Sequence, residues 1–200
     1  MSKKAKATAR KLDCRAQRTR DSLGDALVKL MHEKPFAAIT VQDVLDLAGV
    51  SRSTFYTHYR DKDDLFLSDV EDFFEHMANL LSTRGEVSQR VAPVRELFAH
   101  IAEQREFYAA LIAAGKINDV LELGQGHFAR AIERRFAAGP ATSAHTTMPR
   151  AALAHALAGA LLALLTWWID HDMPASPAQM DDSFHHLVWS GVNASVGHRT

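Results

Sequence analysis

The feature that most constrains this chain is residues 39–62, ITVQDVLDLAGVSRSTFYTHYRDK, which reads as two short helices joined by a tight turn. Thr40 stands where a capping hydroxyl is needed, and Asp43 suits the positive end of the helix that follows. Val41, Val44, Leu45 and Ala48 recur at the spacing of a buried helical stripe. Gly49 supplies a residue without a side chain at the sharp bend, and Val50 an apolar plug. Ser51 can cap the second helix, whose core residues are Phe55 and Tyr59. Between those anchors Arg52, Ser53, Tyr56, Thr57 and His58 form an outward set, polar or amphipathic. The pattern predicts a helix-turn-helix: buried residues fix the angle, and the second helix offers hydrogen-bonding groups to a major groove wide enough to admit it.

On residue chemistry, Arg52 can address guanine O6 and N7 or else a phosphate. Ser53 and Thr57 are short enough for close backbone approach. Tyr56 and His58 suit phosphates at the rim, and Lys62 directs a flexible charge towards the sugar-phosphate backbone. Charge is placed accordingly. The formal net charge of -1 hides eight basic residues against Asp13 alone within residues 1–20. Residues 1–64 hold thirteen basic and nine acidic side chains, a balance of +4, and the remainder ten against fifteen, or -5. Residues 1–12 read as a basic arm that gains energy from phosphates or the minor groove.

The segment AGVSRSTFYTHYRDKDDLF resembles the DNA-binding segment of the TetR/AcrR family of bacterial transcriptional regulators. The match takes in the turn glycine, the S-R-S-T-F-Y helix, Tyr59 and the D-K-x-D-L-F opening of the next helix. It is well defined over residues 19–74; beyond them the chain resembles the family in length and helical layout. The resemblance implies that Gln42 faces DNA and Thr40 meets a phosphate. Tyr56 and Lys62 would be backbone clamps, with Arg52, Ser53 and Thr57 as variable readers behind the Ser51 cap, and Phe55 core. It also implies an all-α fold in which the helix-turn-helix domain precedes a larger helical ligand-binding and dimerisation domain. The division expected is residues 1–64 and 65–200.

Around that motif the chain reads as helices throughout. Residues 15–33 carry Leu23, Leu27, Leu30 and Met31 on one face, limited by Pro35, with Phe36 and Ile39 folding back as core. Asp61 can cap a long helix bearing Leu65, Phe66, Val70, Phe73, Phe74, Met77, Leu80 and Leu81. A loop with Gly85 as the break follows, then helices from Pro93, through Phe107 to Gly115, and over residues 117–136. Gly124 and Gly126 weaken the middle of the last of these. After a small polar loop over residues 137–149, residues 150–170 form a strongly apolar helix. That run approaches membrane-spanning length. Its many alanines, the interrupting His155 and the amphipathic helices around it favour a helix packed on most sides instead. A final helix runs over residues 178–194.

Two apolar helices at the end exceed what a 22.1 kDa monomer needs, and predict a homodimer meeting through them as a four-helix bundle. A palindromic double-stranded DNA operator would match that symmetry. In the family a small molecule usually enters the carboxy-terminal domain. Here Phe98, Phe107, Tyr108, Phe128, Trp167 and Trp168 are the candidate lining, favouring a small hydrophobic or aromatic ligand. No catalytic motif is present, so no enzyme and no cofactor are expected. Eleven histidines invite a metal reading, but the adjacent His185 and His186 point in different directions on a helix. One cysteine, Cys14, fits a reducing, cytoplasmic setting, and no membrane partner is expected. Besides a ligand-released repressor, two readings stay open: a TetR-like activator or co-regulator controlled by a partner protein, and a helical interaction module without DNA binding.

Overall fold

The computed structural model describes the backbone of residues 3–83, 90–138 and 148–196. These residues form helices α1 (Lys3–Glu33), α2 (Val41–Ala48), α3 (Arg52–His58), α4 (Lys62–Thr83), α5 (Val94–Glu103), α6 (Arg105–Ala113), α7 (Ile117–Ala138), α8 (Arg150–Asp170) and α9 (Pro177–Val196). A single 3-10 turn, Phe36–Ala38, stands between α1 and α2. The fold is all-α, as expected. The expected break at Gly85 and the centre of the loop before α8 lie outside the described residues.

The chain forms two compact units, residues 1–69 with 106–117, and residues 70–105 with 118–200. Helix α4 passes from the first into the second. A boundary drawn at residue 64 differs from this division chiefly in α6, which groups with the first unit although α5 and most of α7 belong to the second. Helix α1 also begins earlier than expected, at Lys3, so the basic segment read as an arm is helical. Its alanines, lysines and arginines are strong helix formers, which accounts for the extension.

The core of the first unit is built from the expected stripe. Leu23, Leu27, Leu30 and Met31 of α1 are buried with Phe36, Ile39, Val44, Leu45, Phe55, Tyr59, Leu65 and Phe66. Each such side chain contributes about 1.5–3 kcal/mol by leaving water, which lets helices as short as α2 and α3 persist. Thr40 closes a capping box on α2: its Oγ1 accepts from the Asp43 N–H at 3.1 Å, and its own N–H donates to Asp43 Oδ2 at 2.7 Å. At the other end Gly49 sits at φ 66°, where its N–H reaches the Leu45 carbonyl. A side chain there would meet nothing within 4 Å, so the backbone angle alone calls for glycine. Asp61 caps α4 as expected, its Oδ1 accepting from the Asp64 N–H at 2.8 Å.

In the second unit, Leu97, Phe98 and Ile101 of α5 are buried with Phe128, Ile132 and Phe136 of α7. Leu161, Leu165 and Trp168 of α8, and Met180, Phe184 and Val188 of α9, complete that core. Gly124 has a specific cause: a Cβ there would lie 2.7 Å from the Phe74 ring. The residue that weakens α7 in the sequence is where a buried ring crosses it.

A polar cluster joins α5 to α9. The Arg90 guanidinium donates to both Glu96 oxygens, at 3.1 and 2.5 Å, and to Asp181 Oδ1 at 3.0 Å. The same Asp181 oxygen accepts the Arg95 N–H at 3.0 Å. His185 Nε2 accepts from the Val91 N–H at 3.1 Å, while its Nδ1 lies 2.8 Å from the Asp181 carbonyl. His186 is exposed, so the two adjacent histidines diverge as helix geometry requires.

Helix α8 departs from expectation. Ala154, Ala158, Leu161, Leu162, Leu165 and Trp168 are buried, but Ala152, Ala156, Ala160 and Ala163 are exposed and Trp167 is 46% exposed. It is long and apolar enough to cross a membrane by length and composition. Among the described residues it is covered along one face only.

Candidate functional site

The seven residues of α3 divide cleanly. Phe55 is fully buried and Tyr59, just past the helix, is buried beside it with ring centroids 5.8 Å apart. Ser51 caps the helix, its Oγ accepting from the Thr54 N–H at 3.2 Å. With those residues turned inward, Arg52, Ser53, Tyr56 and Thr57 are exposed, Tyr56 by 51%, and His58 is half-buried. Gln42 on α2, Thr40 before it and Ser51 are exposed as well.

Much of this polar surface is engaged with itself. The Arg52 guanidinium lies 5.9 Å from the Tyr56 ring centroid, within cation–π reach. Thr57 Oγ1 donates to the Ser53 carbonyl at 2.9 Å, and Gln42 Nε2 donates to Asp46 Oδ1 at 2.8 Å. Thr40 Oγ1 donates to Asp43 Oδ2 at 2.8 Å, the oxygen that also takes the Lys34 ammonium at 2.8 Å. Lys34, followed by the Thr40 backbone and side chain, holds the Asp43 carboxyl well below the usual carboxylate range. A phosphate approaching Thr40 or Thr57 must therefore exchange one hydrogen bond for another.

Lys62 is the residue whose placement differs most from expectation. Its ammonium donates to the carbonyls of Phe36 and Ile39, both at 2.7 Å, and stands 4.6 Å from the Phe36 ring centroid. A charge expected to be flexible is held. Two neighbouring residues carried no sequence signal. Lys116, after α6, places Nζ 2.5 Å from Asp63 Oδ1, and 53 residues separate them. Arg60, exposed beside the reader, donates to Asp64 Oδ1 at 3.0 Å.

The six aromatic residues expected to line a ligand site fall in both units. Phe98 packs against Trp168 with centroids 4.9 Å apart, and Phe128 meets Phe74 at 5.6 Å. Phe107 and Tyr108 belong to the first unit, where Phe107 lies 5.5 Å from the His32 ring. Burial pushes the Tyr108 hydroxyl well above its ordinary value. Trp167 stacks on His171 at 4.7 Å and faces outward.

Comparison with known proteins agrees with this architecture. Residues 23–68 match the family described as bacterial regulatory proteins, tetR family, and residues 93–189 match a transcriptional regulator C-terminal region. The Bacillus subtilis protein YxbF, described as an uncharacterized HTH-type transcriptional regulator, is 23% identical over 179 residues, or 82% of this chain and 43% of that protein. The chain spans less than half the length of the curated relatives it matches. Among solved structures, the dihydroxyacetone kinase operon activator DhaS superposes with a TM-score of 0.67 at 16% identity, covering 88% of this chain and 97% of its own. RolR in complex with resorcinol gives 0.61 at 18% identity, covering 94% and 97%. At those identities the structures establish the fold. With both halves of the chain matched to one kind of regulator, the protein belongs to the TetR/AcrR family of transcriptional regulators.

Proposed function

We propose that this regulator binds duplex DNA as a homodimer through α2 and α3 and represses transcription until a small apolar or aromatic molecule releases it. The observation that carries the DNA reading is the division of α3. Buried Phe55 and Tyr59 hold the helix while Arg52, Ser53, Tyr56 and Thr57 stand in solvent. Gln42, Thr40, Ser51, His58 and Lys62 complete the surface as proposed direct or indirect contributors. Two copies on one duplex call for an inverted-repeat operator with half-sites about one helical turn, or a multiple of it, apart. Such a protein acts in the cytoplasm. Selection of bound fragments from random duplex DNA, repeated at several salt concentrations, tests the reading. An enriched palindromic motif supports it, and recovery of unselected sequence overturns it.

Within that selection Arg52 has a distinct role. Arg52→Ala is expected to cost about 1–3 kcal/mol of specific binding while leaving non-specific binding near its original strength. Equal loss on selected and scrambled duplexes would show that Arg52 touches only phosphate.

The dimer is supported by the uncovered face of α8, with Trp167 46% exposed, and by Leu187 of α9 at 63%. These are apolar surfaces on the two helices expected to meet a second copy. Light scattering at micromolar concentration should return twice the 22.1 kDa chain mass, and a monodisperse monomer would remove the symmetric operator with it. Release by a ligand draws on the second unit's aromatic core around Phe98, Phe128 and Trp168. RolR holds resorcinol within the same fold. A second reading, an activator or co-regulator controlled by a partner protein, is favoured by one observation: Phe98 and Trp168, both buried, pack ring against ring in the second unit's core. Thermal-shift screening against apolar and aromatic compounds separates the two.

A further inference from the structure

We propose that Lys62 serves DNA recognition as a positioning residue that locks the head of α2 to the head of α4, rather than as a contact to phosphate. The inference rests on the reading that α2 and α3 bind DNA, and it assigns a different task to a residue on that surface. Its ammonium spans the Phe36–Ala38 turn, donating to the Phe36 and Ile39 carbonyls at 2.7 Å each. Ile39 immediately precedes Thr40, the residue that caps α2. The cation therefore holds the entry to α2 at a point one residue from its cap.

Phe36 forms the floor of the lock. Its ring is buried, with Lys62 Nζ 4.6 Å and Lys116 Nζ 5.5 Å from its centroid. Lys116 in turn pairs with Asp63 at 2.5 Å, next in sequence to Lys62. Two cations, one ring, one carboxylate and two carbonyls thus join α4, the turn before α2 and the turn after α6. Hydrogen bonds from a charged donor are among the stronger ones a protein makes. A phosphate would have to break at least part of this arrangement to claim Lys62 as a strong partner.

Orientation of the reader and contact with phosphate give different binding signatures. Losing a phosphate contact weakens selected and scrambled duplexes alike and lowers the salt slope by about one unit. Losing orientation spares the sequence-independent attraction and erodes the preference for the selected sequence. Partial unfolding lowers the active fraction equally for both duplexes, so their ratio does not move.

The test compares the full-length wild type with Lys62→Met and Phe36→Leu on selected and scrambled duplexes over a salt series. Amide hydrogen exchange at Asp43 and Val44 is followed in the same proteins. Phe36→Leu keeps every charge and removes only the ring. Both variants are expected to lose about tenfold in the ratio of specific to non-specific binding, equivalent to about 1.4 kcal/mol. Their salt slopes should remain within half a unit of wild type, and the Asp43 and Val44 amides should exchange faster. A slope reduced by about one unit in Lys62→Met, with Phe36→Leu binding as wild type, would overturn the lock in favour of a phosphate contact. Unchanged binding ratios and unchanged exchange in both variants would also overturn it. If the wild type selects no sequence, the DNA reading fails, and faster or unchanged exchange still decides whether Lys62 fixes α2.

Discussion

Trp168→Ala is expected to destabilise the second unit by about 3–5 kcal/mol, the range for removing a fully buried large aromatic side chain. Trp168 is 1% exposed and its ring packs 4.9 Å from that of Phe98, which is wholly buried. It also has a polar task that a purely apolar reading omits. Its Nε1 donates to the Ala175 carbonyl at 2.8 Å, and its own carbonyl accepts the Met173 N–H at 2.8 Å. Those bonds cross the turn between α8 and α9, where Asp172 and Met173 hold φ values of 65° and 55°. Two successive non-glycine residues in the left-handed region are costly unless their surroundings hold them there. Truncation therefore opens a cavity and removes the indole bond across the turn, while the main-chain bond from Met173 remains.

Trp168→Phe separates the two effects. It retains a ring against Phe98 but leaves the Ala175 carbonyl without its indole partner, and should cost about 1–3 kcal/mol. Urea denaturation followed by far-UV circular dichroism measures both variants. If Trp168→Ala unfolds within about 1 kcal/mol of wild type, the ring does not hold that core. A stabilising response to an aromatic compound in Trp168→Ala, absent from the wild type, would identify the vacated volume as a ligand-accessible space.

The contrast between Trp168 and Lys62 marks what a sequence exposes and what it conceals. Helix periodicity located Phe55, Tyr59, Leu23 and Leu27 in the core, because a buried stripe repeats along one element. Capping by Thr40, Ser51 and Asp61 was legible for the same reason: donor and acceptor lie three residues apart. Local chemistry leaves local traces. Lys62 could be read only as a charge near a helix start, since its carbonyl partners lie 26 and 23 positions upstream. Gly124 looked like a weakness in α7 because the crossing Phe74 ring comes from another helix. The six aromatics were grouped by type, a property of composition, and two of them, Phe107 and Tyr108, fall in the first unit. Helix α8 shows the same limit in reverse: its small residues suggested close neighbours on most sides, and the described residues supply them along a single face.

Asp181→Ala is expected to cost about 3 kcal/mol, towards the lower end for breaking a partly buried ion pair, because Glu96 still faces the remaining cation. Burial works against the Arg90 charge. The Glu96 hydrogen bond, with the fields of Asp181 and Glu96, outweighs it and raises the guanidinium above its ordinary value. Removing Asp181 takes away one of those partners and also the acceptor of the Arg95 N–H in the first turn of α5. Asp181→Asn keeps an acceptor for that N–H and should lose less. The same cluster responds to pH through His185. Burial, assisted by Arg90, draws its imidazole below the ordinary value against the opposing backbone hydrogen bond and charge of Asp181 and the charge of Asp182. Protonation would also place an N–H on Nε2, facing the Val91 N–H that it now accepts. With the folded value depressed, the unfolded chain takes up the proton first. Stability is therefore full above about 6.5 and declines as pH falls through that value towards the folded one. His100 and His127 are lowered too, chiefly by burial, so among the described residues three histidines contribute to the wild-type decline. His185→Gln should flatten part of the slope below about pH 6.5 while the other two remain. Urea midpoints across that range give the result, and an unchanged slope would exclude His185 from the acid response.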